Sequence, residues 1–291
     1  MKPAPFAYHA PDSIAGAVDL LARLGDEAKV LAGGQSLVPM LALRLAVFDH
    51  LVDVGRISEL RGIERRGGAL WLGAATTQAS IERSPEVSSG VPLLAKATPF
   101  IGHFQIRNRG TVGGSIAHAD PAAEYPAVAL ALDATIEVAS VRGTRTIAAR
   151  ELFDGLWSTT MQPDELLVGI SLPVWDGRCG FAVHEFARRH GDFAIAGAAV
   201  GVQLDDDDRV VRCAIGLIGL GSMPVRAEHA ESELSGRTVG EIEPAEVGRL
   251  AMVGLESIPT DLHGSAAYRR RVGSEMTARA WTAAVEEARR A

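Results

Sequence analysis

The chain has 291 residues, of which 47% are hydrophobic and 22% charged, and its formal net charge is −7. These values are typical of a globular protein with a sizeable core, and they argue against a nucleic-acid-binding surface or an anionic-membrane partner. The sequence contains no run of about 18 apolar residues and no apolar signal-peptide region, so a cytoplasmic protein of two modest domains is expected.

A β-α-β unit is predicted for residues 1–57. Its first helix follows Asp12, the predicted N-cap, and ends at Gly25, where a glycine commonly follows a helix. A glycine loop at residues 33–36 joins a strand to a helix with Pro39 in its first turn, where proline is tolerated. After the first helix, the predicted elements are a strand at residues 29–32, a helix at residues 37–45 and a strand at residues 51–54.

The pattern of predicted strands and helices changes in residues 58–173, which indicates a second subdomain. The pair Gly67-Gly68 lies between two β-type segments and predicts a hairpin, while Pro173 closes the last strand of this half. The predicted strands are residues 60–66, 69–73, 135–141, 145–148 and 166–172, and the predicted helices lie at residues 76–83, within 91–104 and at 127–132.

A second domain is predicted to begin near Val174 and to extend to residue 291. Its acidic run at residues 205–208 predicts a solvated turn, because adjacent carboxylates repel one another and point in different directions, which disfavours a metal site. Its last helix has an apolar stripe, interpreted as core or subunit contact. The predicted elements are strands at residues 181–187, 195–204 and 209–220 and helices at residues 228–234, 245–256 and 266–290.

The most informative feature is a pair of glycine loops, each with a hydroxyl residue after the glycines. One is KVLAGGQSL at residues 29–37, and the other is GTVGGSIAHAD at residues 110–120. A diphosphate needs several converging backbone N–H groups with no Cβ in the way, which glycine provides. Lys29, Arg107 or Arg109 could offset its charge. Either loop alone predicts only a turn, but together they predict an anionic ligand held from two sides.

Other chemistries are less well supported by the sequence. The dinucleotide motif GxGxxG and the P-loop motif are absent from it. Residues 113–117 resemble the hydrolase elbow GxSxG, but the last position is alanine and the preceding segment is polar and basic. His118, Asp120 and Glu124 have no third nitrogen or sulfur ligand nearby for a metal, so His118 is interpreted as a hydrogen-bonding loop residue.

Four segments resemble a known family. AGGQSL at residues 32–37 and RNRGTVGGSIAHADPAAE at residues 107–124 resemble the two FAD motifs of the medium, flavin-binding subunit of molybdenum hydroxylases. This family includes the carbon monoxide dehydrogenase medium subunit and the FAD domain of xanthine dehydrogenase. FARRHGDFAI at residues 186–195 is similar to the start of its C-terminal domain, and DLHGSAAYRRRV at residues 261–272 also fits. The resemblance covers nearly the whole chain.

The resemblance implies an α+β fold built from α/β subdomains. It comprises a vanillyl-alcohol-oxidase-type FAD-binding domain at residues 1–173, with subdomains at about 1–57 and 58–173. A C-terminal domain at residues 174–291 then contains a three-stranded antiparallel sheet and a helical bundle.

The resemblance also implies how FAD is held. The first loop would wrap the pyrophosphate and adenosine side, with Ser36 contributing its hydroxyl. The second loop would cradle the diphosphate and ribityl chain, with Asp120 and Glu124 on ribityl or ribose hydroxyls. Phe193 matches a position at which some relatives have tyrosine against the isoalloxazine ring, although packing in the core is an alternative. Ile101 and Ile106 would line the cleft, and Leu167 would lie against the adenine. The full set is Lys29, Val30, Leu31, Ala32, Gly33, Gly34, Gln35, Ser36, Leu37, Ile101, Ile106, Gly110, Thr111, Gly114, Ser115, His118, Asp120, Glu124, Leu167 and Phe193.

The function implied is that of an electron-transfer subunit. Electrons from [2Fe–2S] clusters on a small partner subunit would reach this FAD and then an external acceptor, while substrate is hydroxylated at a molybdenum cofactor on a large partner subunit, in a dimer of heterotrimers. No residue of this chain is implied to be catalytic or to bind metal, and two cysteines, Cys179 and Cys213, are too few for a cluster. A stand-alone FAD oxidoreductase of the same fold and a binding module without cofactor are the alternatives.

Overall fold

The computed structural model describes residues 2–291, and its first unit is a parallel sheet of three strands. The strands β1 (Ala7–His9), β2 (Ala28–Leu31) and β3 (His50–Asp53) lie in the order β1-β3-β2. Helix α1 (Ile14–Leu24) follows β1, and α2 (Leu37–Ala42) follows β2. The β-α-β unit is confirmed, whereas β1 was not predicted because so short a strand shows no alternating pattern.

The N-terminal cap of α1 differs from the prediction. Ser13, and not Asp12, is the N-cap, and its hydroxyl accepts a hydrogen bond of 3.2 Å from the backbone N–H of Gly16. Both residue types cap helices well and they are adjacent here, so the spacing of the apolar residues could not distinguish them. Gly25 follows the helix as predicted, with a φ of 53°, in the left-handed region that favours glycine.

The second subdomain is built on an antiparallel sheet in the order β4-β5-β10-β6-β7. Its predicted hairpin at Gly67-Gly68 is confirmed, and a small separate hairpin, β8 with β9, precedes β10. The strands are β4 (Ile63–Arg66), β5 (Ala69–Gly73), β6 (Thr135–Ser140), β7 (Gly143–Ala148), β8 (Phe153–Gly155), β9 (Ser158–Thr159) and β10 (Leu166–Pro173). The helices are α3 (Gln78–Arg83), α4 (Pro85–Gly90), α5 (Pro92–Ala97), α6 (Phe104–Arg107), α7 (Val112–His118), α8 (Glu124–Ala131) and α9 (Ala149–Leu152).

Most of the second glycine stretch is helical, which the sequence did not indicate. Thr111 is the N-cap of α7, and its hydroxyl accepts a hydrogen bond of 3.1 Å from the N–H of Gly114. A Cβ atom on Gly113 would lie 2.5 Å from the Cβ of Ala74, so glycine is needed for close packing against the end of β5 rather than for a turn. The glycine pair therefore lies inside a helix, where glycine usually argues against helix formation.

The C-terminal half contains an antiparallel sheet in the order β11-β12-β13-β14. Three long strands were predicted, and a two-residue edge strand extends them to four. The apolar stripe of the last helix is buried on this sheet, and Gly180 allows close approach, since a Cβ there would lie 1.9 Å from the Ala284 carbonyl oxygen. The elements are β11 (Arg178–Phe186), β12 (Ala196–Leu204), β13 (Val210–Ile218), β14 (Val225–Arg226), α10 (Glu228–Leu234), α11 (Pro244–Ala251) and α12 (Ala266–Arg290).

The acidic run between β12 and β13 forms a turn, as predicted. Asp208 pairs with Arg178 at 2.8 Å and with Arg289 at 3.0 Å, and backbone N–H groups bond to the Asp205 carboxylate. Within residues 2–291, no cluster of three or more histidine, cysteine or acidic side chains is arranged to hold a metal ion.

The two halves of the chain share a hydrophobic core. Helix α8 packs on β12 and β13 so closely that a Cβ on Gly216 would lie 2.1 Å from the carbonyl oxygen of Ala127. An ion pair of 2.6 Å between Lys96 and Glu287 also joins the two halves of the chain. None of the helices in the described part of the chain is long and apolar enough to cross a membrane.

Candidate functional site

The first glycine loop presents a run of free backbone donors. It leaves the carboxyl end of β2, where open α/β sheets bind ligands, and Gly34 has a φ of 72°. The backbone N–H groups of residues 33–37 make no hydrogen bond to any group within residues 2–291. Ser36 occupies the N-cap position of α2, yet its side chain makes no capping bond. Consecutive unpaired N–H groups around a left-handed glycine form a nest, which binds anions.

The second loop uses most of its backbone donors internally. The N–H groups of Gly110, Val112 and Gly113 donate to the carbonyl oxygens of residues 106, 76 and 74 at 2.7, 3.1 and 2.9 Å. The N–H of Gly114 is held by the Thr111 hydroxyl. Ser115, on the first turn of α7, is only partly buried. The two loops are therefore not equivalent, because the first offers backbone N–H groups and the second offers mainly side chains.

The two loops are in direct contact. A Cβ atom on Gly33 would lie 2.2 Å from the carbonyl oxygen of Arg109 and 2.7 Å from the Cα of Gly110. Farther along, a Cβ on Gly114 would lie 3.6 Å from the Cβ of Ala32. The approach at Gly33 is open only to glycine, whereas the one at Gly114 is an ordinary contact, and the fold brings together two loops about 75 residues apart in the chain. A cradle of this kind, with free N–H groups and a glycine pair at its start, fits a diphosphate.

Polar side chains surround the carboxyl end of α7. The Asp120 carboxylate accepts a hydrogen bond of 2.8 Å from the N–H of Ala122 and another of 3.2 Å from the indole of Trp157. The His118 ring stacks on Trp157, and its Nε2 is 3.8 Å from Asp120. Burial lowers the pKa of His118, Asp120 opposes this shift, and the charge of Lys29 adds to it. Burial therefore favours the neutral form of the His118 ring.

Trp157 is a site residue that the sequence did not reveal. It lies in the turn between β8 and β9 with a φ of 54°, unusual for a bulky residue, and 51% of it is exposed. Trp157 therefore contacts two of the predicted site residues, through its indole N–H on Asp120 and its stacking on His118. The sequence around Trp157 has no characteristic motif, and the hairpin that positions this residue was not predicted.

Phe193 does not pack in the core, so the alternative interpretation of this residue is wrong. Its side chain is 65% exposed, in a loop in which Gly191 packs against His103, with a would-be Cβ only 2.6 Å from the ring. Ile106 lies beside Gly102, whose Cβ would be 2.8 Å from the Ile106 side chain. Ile101, which is half-buried, precedes this turn. The predicted cleft residues and the Phe193 loop therefore lie on one surface.

The side chains of Arg107 and Leu167 are both engaged in contacts within the protein. The Arg107 guanidinium pairs with Glu82 at 2.9 and 3.0 Å and donates to the Ile101 carbonyl oxygen, so its charge is not free to offset a phosphate as expected. Leu167 is 5% exposed and packs in the core of the second subdomain, so its contact with adenine stays a prediction. Lys29 lies over the Phe48 ring, and the Arg109 side chain is exposed.

The candidate site is a cradle made of a backbone nest and a facing helix. It lies on an α/β unit that is joined to an antiparallel subdomain. This arrangement is that of a cofactor-binding oxidoreductase. Residues 4–175 match the family described as FAD binding domain in molybdopterin dehydrogenase, and residues 181–284 match the CO dehydrogenase flavoprotein C-terminal domain. The chain belongs to this family of FAD-binding medium subunits of molybdenum hydroxylases.

Relatives align with nearly the full chain. The 6-hydroxypseudooxynicotine dehydrogenase complex subunit alpha of Paenarthrobacter nicotinovorans is 42% identical over 99% of this chain and 97% of its own length. The carbon monoxide dehydrogenase medium chain of Hydrogenophaga pseudoflava is 38% identical over 98% of each chain.

Solved structures confirm the fold. The carbon monoxide dehydrogenase of Hydrogenophaga pseudoflava, in a form lacking the Mo-pyranopterin moiety, matches with a TM-score of 0.95 and 38% identity over 99% of each chain. Quinoline 2-oxidoreductase from Pseudomonas putida 86 matches with a TM-score of 0.92 and 36% identity, also over 99% of each chain. The predicted α+β FAD-binding fold and the FAD cofactor are thereby confirmed.

Proposed function

We propose that this chain is the electron-transfer subunit of a molybdenum hydroxylase, passing electrons from partner [2Fe–2S] clusters to an external acceptor. The bound FAD supplies the redox chemistry, and the chain supplies its position, its electrostatic environment and its access to solvent. FAD binding, on which this proposal depends, is supported most directly by the nest at residues 33–37, which lies against the second glycine loop.

The proposed contacts follow from the two loops. The nest, with Lys29 and Ser36, holds the diphosphate, and Val30, Leu31 and Ala32 line its base. Thr111 and Ser115 bind from the α7 side, while Gly110 and Gly114 keep the approach free of side chains. His118, Asp120 and Glu124 hold sugar hydroxyls. Ile101, Ile106 and Phe193 form the surface for the flavin ring, which is consistent with the exposure of Phe193.

The metal centres are proposed to lie on partner chains. A [2Fe–2S] cluster needs four ligands, usually cysteines, and this chain has only Cys179 and Cys213. Cys213 is buried, and burial raises the pKa of Cys179 to about 11, so neither is a ready thiolate. The partners are a large molybdenum-cofactor subunit and a small [2Fe–2S] subunit, in a dimer of heterotrimers. A cytoplasmic location stays a prediction.

The substrate is proposed to be bound by the large subunit alone. Relatives of similar identity, 42%, 38% and 36%, have names that refer to 6-hydroxypseudooxynicotine, carbon monoxide and quinoline. A medium subunit that touched the substrate would have to change with such different molecules. A subunit that does not contact the substrate would keep a nearly constant sequence identity over the whole chain among such relatives.

Two measurements test this function. The purified chain, or the chain reconstituted with FAD, should have the visible spectrum of a flavoprotein, and a colourless protein that takes up no FAD would refute FAD binding. Expressed with its genomic neighbours, the chain should co-purify with molybdenum and iron–sulfur polypeptides, and substrate should bleach its flavin in that complex. A yellow chain that never associates with such partners would instead be a stand-alone FAD oxidoreductase.

A further inference from the structure

A buried arginine lies on the first turn of the last helix. Arg269 of α12 is only 4% exposed, and an arginine is rarely buried so deeply unless its charge is paired. Its Nη2 atom pairs with the Asp261 carboxylate at 2.6 Å, and this carboxylate also accepts hydrogen bonds of 2.8 and 3.2 Å from the N–H groups of residues 263 and 264. Asp261 is therefore held in place, and it fixes one end of the Arg269 guanidinium.

The other terminal nitrogen of Arg269, Nη1, contacts two segments of backbone. It donates a hydrogen bond of 2.5 Å to the carbonyl oxygen of Ile195 and a longer one of 3.4 Å to that of Gly219. Ile195 ends the Phe193 loop, which joins β11 to β12, and its N–H donates to the Phe186 carbonyl oxygen at 2.8 Å. Both polar backbone groups of Ile195 are therefore bonded, so this end of the Phe193 loop has a fixed position.

Gly219 connects the same guanidinium to the segment that carries Asp120. The N–H of Gly219 donates to the carbonyl oxygen of Pro121 at 2.7 Å, and Pro121 directly follows Asp120. Gly219 has a φ of 71°, and a Cβ atom on it would lie 2.8 Å from the Ile195 carbonyl oxygen, so residues 195 and 219 are in direct backbone contact. Hydrogen bonds through Arg269 therefore link the segment that carries Phe193 to the segment that carries Asp120.

We propose that Arg269 is a positioning residue of the FAD site, which holds the Phe193 loop and the Asp120 segment at a fixed separation. This inference depends on the proposed function, because Phe193 and Asp120 contact FAD only in that proposal. Arg269 acts through the backbone next to each residue and not by touching FAD. A guanidinium suits this role, because its N–H donors have a fixed planar geometry that the flexible ammonium group of lysine lacks.

The first test needs no FAD. In the apo-protein, residue-resolved hydrogen exchange should show protected amides at Ile195 and Gly219, because both are bonded to backbone carbonyl oxygens. Arg269→Met keeps an unbranched side chain but removes every donor, so these two amides should exchange about tenfold faster, while the amides of β2 and β3 keep their rates. Arg271→Met is the matched control, because Arg271 is exposed two residues farther along α12, and it should change neither amide.

The second test measures the affinity for FAD and the visible spectrum of bound FAD. Arg269→Met should lower FAD affinity about tenfold and shift the flavin absorption band, because the Phe193 loop must then be ordered as FAD binds. In a Phe193→Ala background the same substitution should have little further effect on the spectrum, since no aromatic ring remains to be positioned. Arg269→Lys should restore the charge beside Asp261 but not the spectrum, whereas a purely structural role of the charge predicts full rescue.

The inference is overturned if Arg269→Met leaves the exchange of Ile195 and Gly219 unchanged, or if exchange rises equally in all the sheets, which would show only a loss of global stability. It is also overturned if the spectral effects of Arg269→Met and Phe193→Ala simply add, or if Arg269→Lys restores the wild-type spectrum. Should the methionine variant not fold, the lysine variant provides the same two measurements. If the wild type binds no FAD, it is the proposed function that fails, while the exchange measurement still decides whether Arg269 holds the two segments together.

Discussion

Gly33 packs against the backbone of Arg109 so closely that a Cβ atom on Gly33 would lie 2.2 Å from the Arg109 carbonyl oxygen. No side chain can be accommodated at that distance, so the two loops can touch only while residue 33 is glycine. This contact fixes the position of the nest at residues 33–37 relative to the first turn of α7. The proposed binding of FAD between the two loops therefore depends on a contact between two stretches of backbone.

Gly33→Ala should lower FAD affinity strongly and destabilise the chain by about 1–3 kcal/mol, because the methyl group forces the loops apart. Thermal unfolding of the apo-protein and titration with FAD measure the two effects. Gly68→Ala is the matched control, since a Cβ on Gly68 meets nothing within 4 Å, and it should change neither quantity. Unchanged FAD affinity in Gly33→Ala would show that the contact between the loops has no part in binding.

Ser36→Ala should weaken FAD binding by about 0.5–1.5 kcal/mol, or by more if the hydrogen bond is charge-assisted, and leave the stability of the apo-protein unchanged. The reason is that Ser36 does not cap α2, so its hydroxyl is not needed for folding. The comparison is Ser13→Ala, which removes the capping hydroxyl of α1 and should reduce stability by about 1 kcal/mol with no effect on FAD affinity. A loss of apo-protein stability in Ser36→Ala, with no loss of FAD affinity, would mean that Ser36 has a structural role.

Arg107→Gln should destabilise the protein by about 1–3 kcal/mol, because Arg107 is buried and the change removes its hydrogen bonds to Glu82 and to the Ile101 carbonyl oxygen. Arg109→Gln, two residues away, should have little effect on stability, since the Arg109 side chain is exposed. Denaturant unfolding of both variants makes the comparison. Equal stabilities would contradict the assignment of Arg107 to the scaffold.

The free energy of unfolding should decrease at acidic pH, partly because the Glu165 carboxylate becomes protonated. Its side chain is 3% exposed, and the hydrogen bonds from Arg145 and from the Gln162 N–H hold the pKa of Glu165 below its ordinary value. A depressed pKa contributes stability above the unfolded-state pKa of about 4.3, and this is lost as the pH falls through the folded-state value. Because Arg145 is 46% exposed, the contribution is about 0.5–1 kcal/mol. Glu165→Gln should be less stable than wild type at neutral pH and equally stable in strong acid.

Local patterns predicted most of the secondary structure. The Gly67-Gly68 hairpin, the three long strands of the C-terminal sheet and the last helix, Ala266–Arg290, were all predicted from periodicity and turn residues. Helix α7 was missed because its glycine pair was interpreted as a turn, whereas Gly113 is required by contact with Ala74. That requirement comes from a partner about 40 residues away, which no local rule can detect.

The candidate site shows the same division between local and distant information. The two glycine loops could be recognised from residue types, and the structure confirms that they lie together. The contact of Trp157 with the site could not be recognised, because it depends on a partner in another element, Asp120. Arg107 was misassigned for a related reason, since its partner Glu82 lies on a different helix and takes up its charge. Whether the predicted residues touch FAD stays a prediction.

Residue-resolved amide hydrogen exchange, with and without FAD, tests the central claim most directly. The backbone N–H groups of residues 33–37 have no hydrogen-bond partner among residues 2–291, so in the apo-protein they should exchange rapidly. With stoichiometric FAD they should become protected, while the amides of Gly110 and Gly113, already bonded within the protein, should change little. Continued rapid exchange at residues 33–37 with FAD fully bound would contradict the claim that this nest holds the diphosphate.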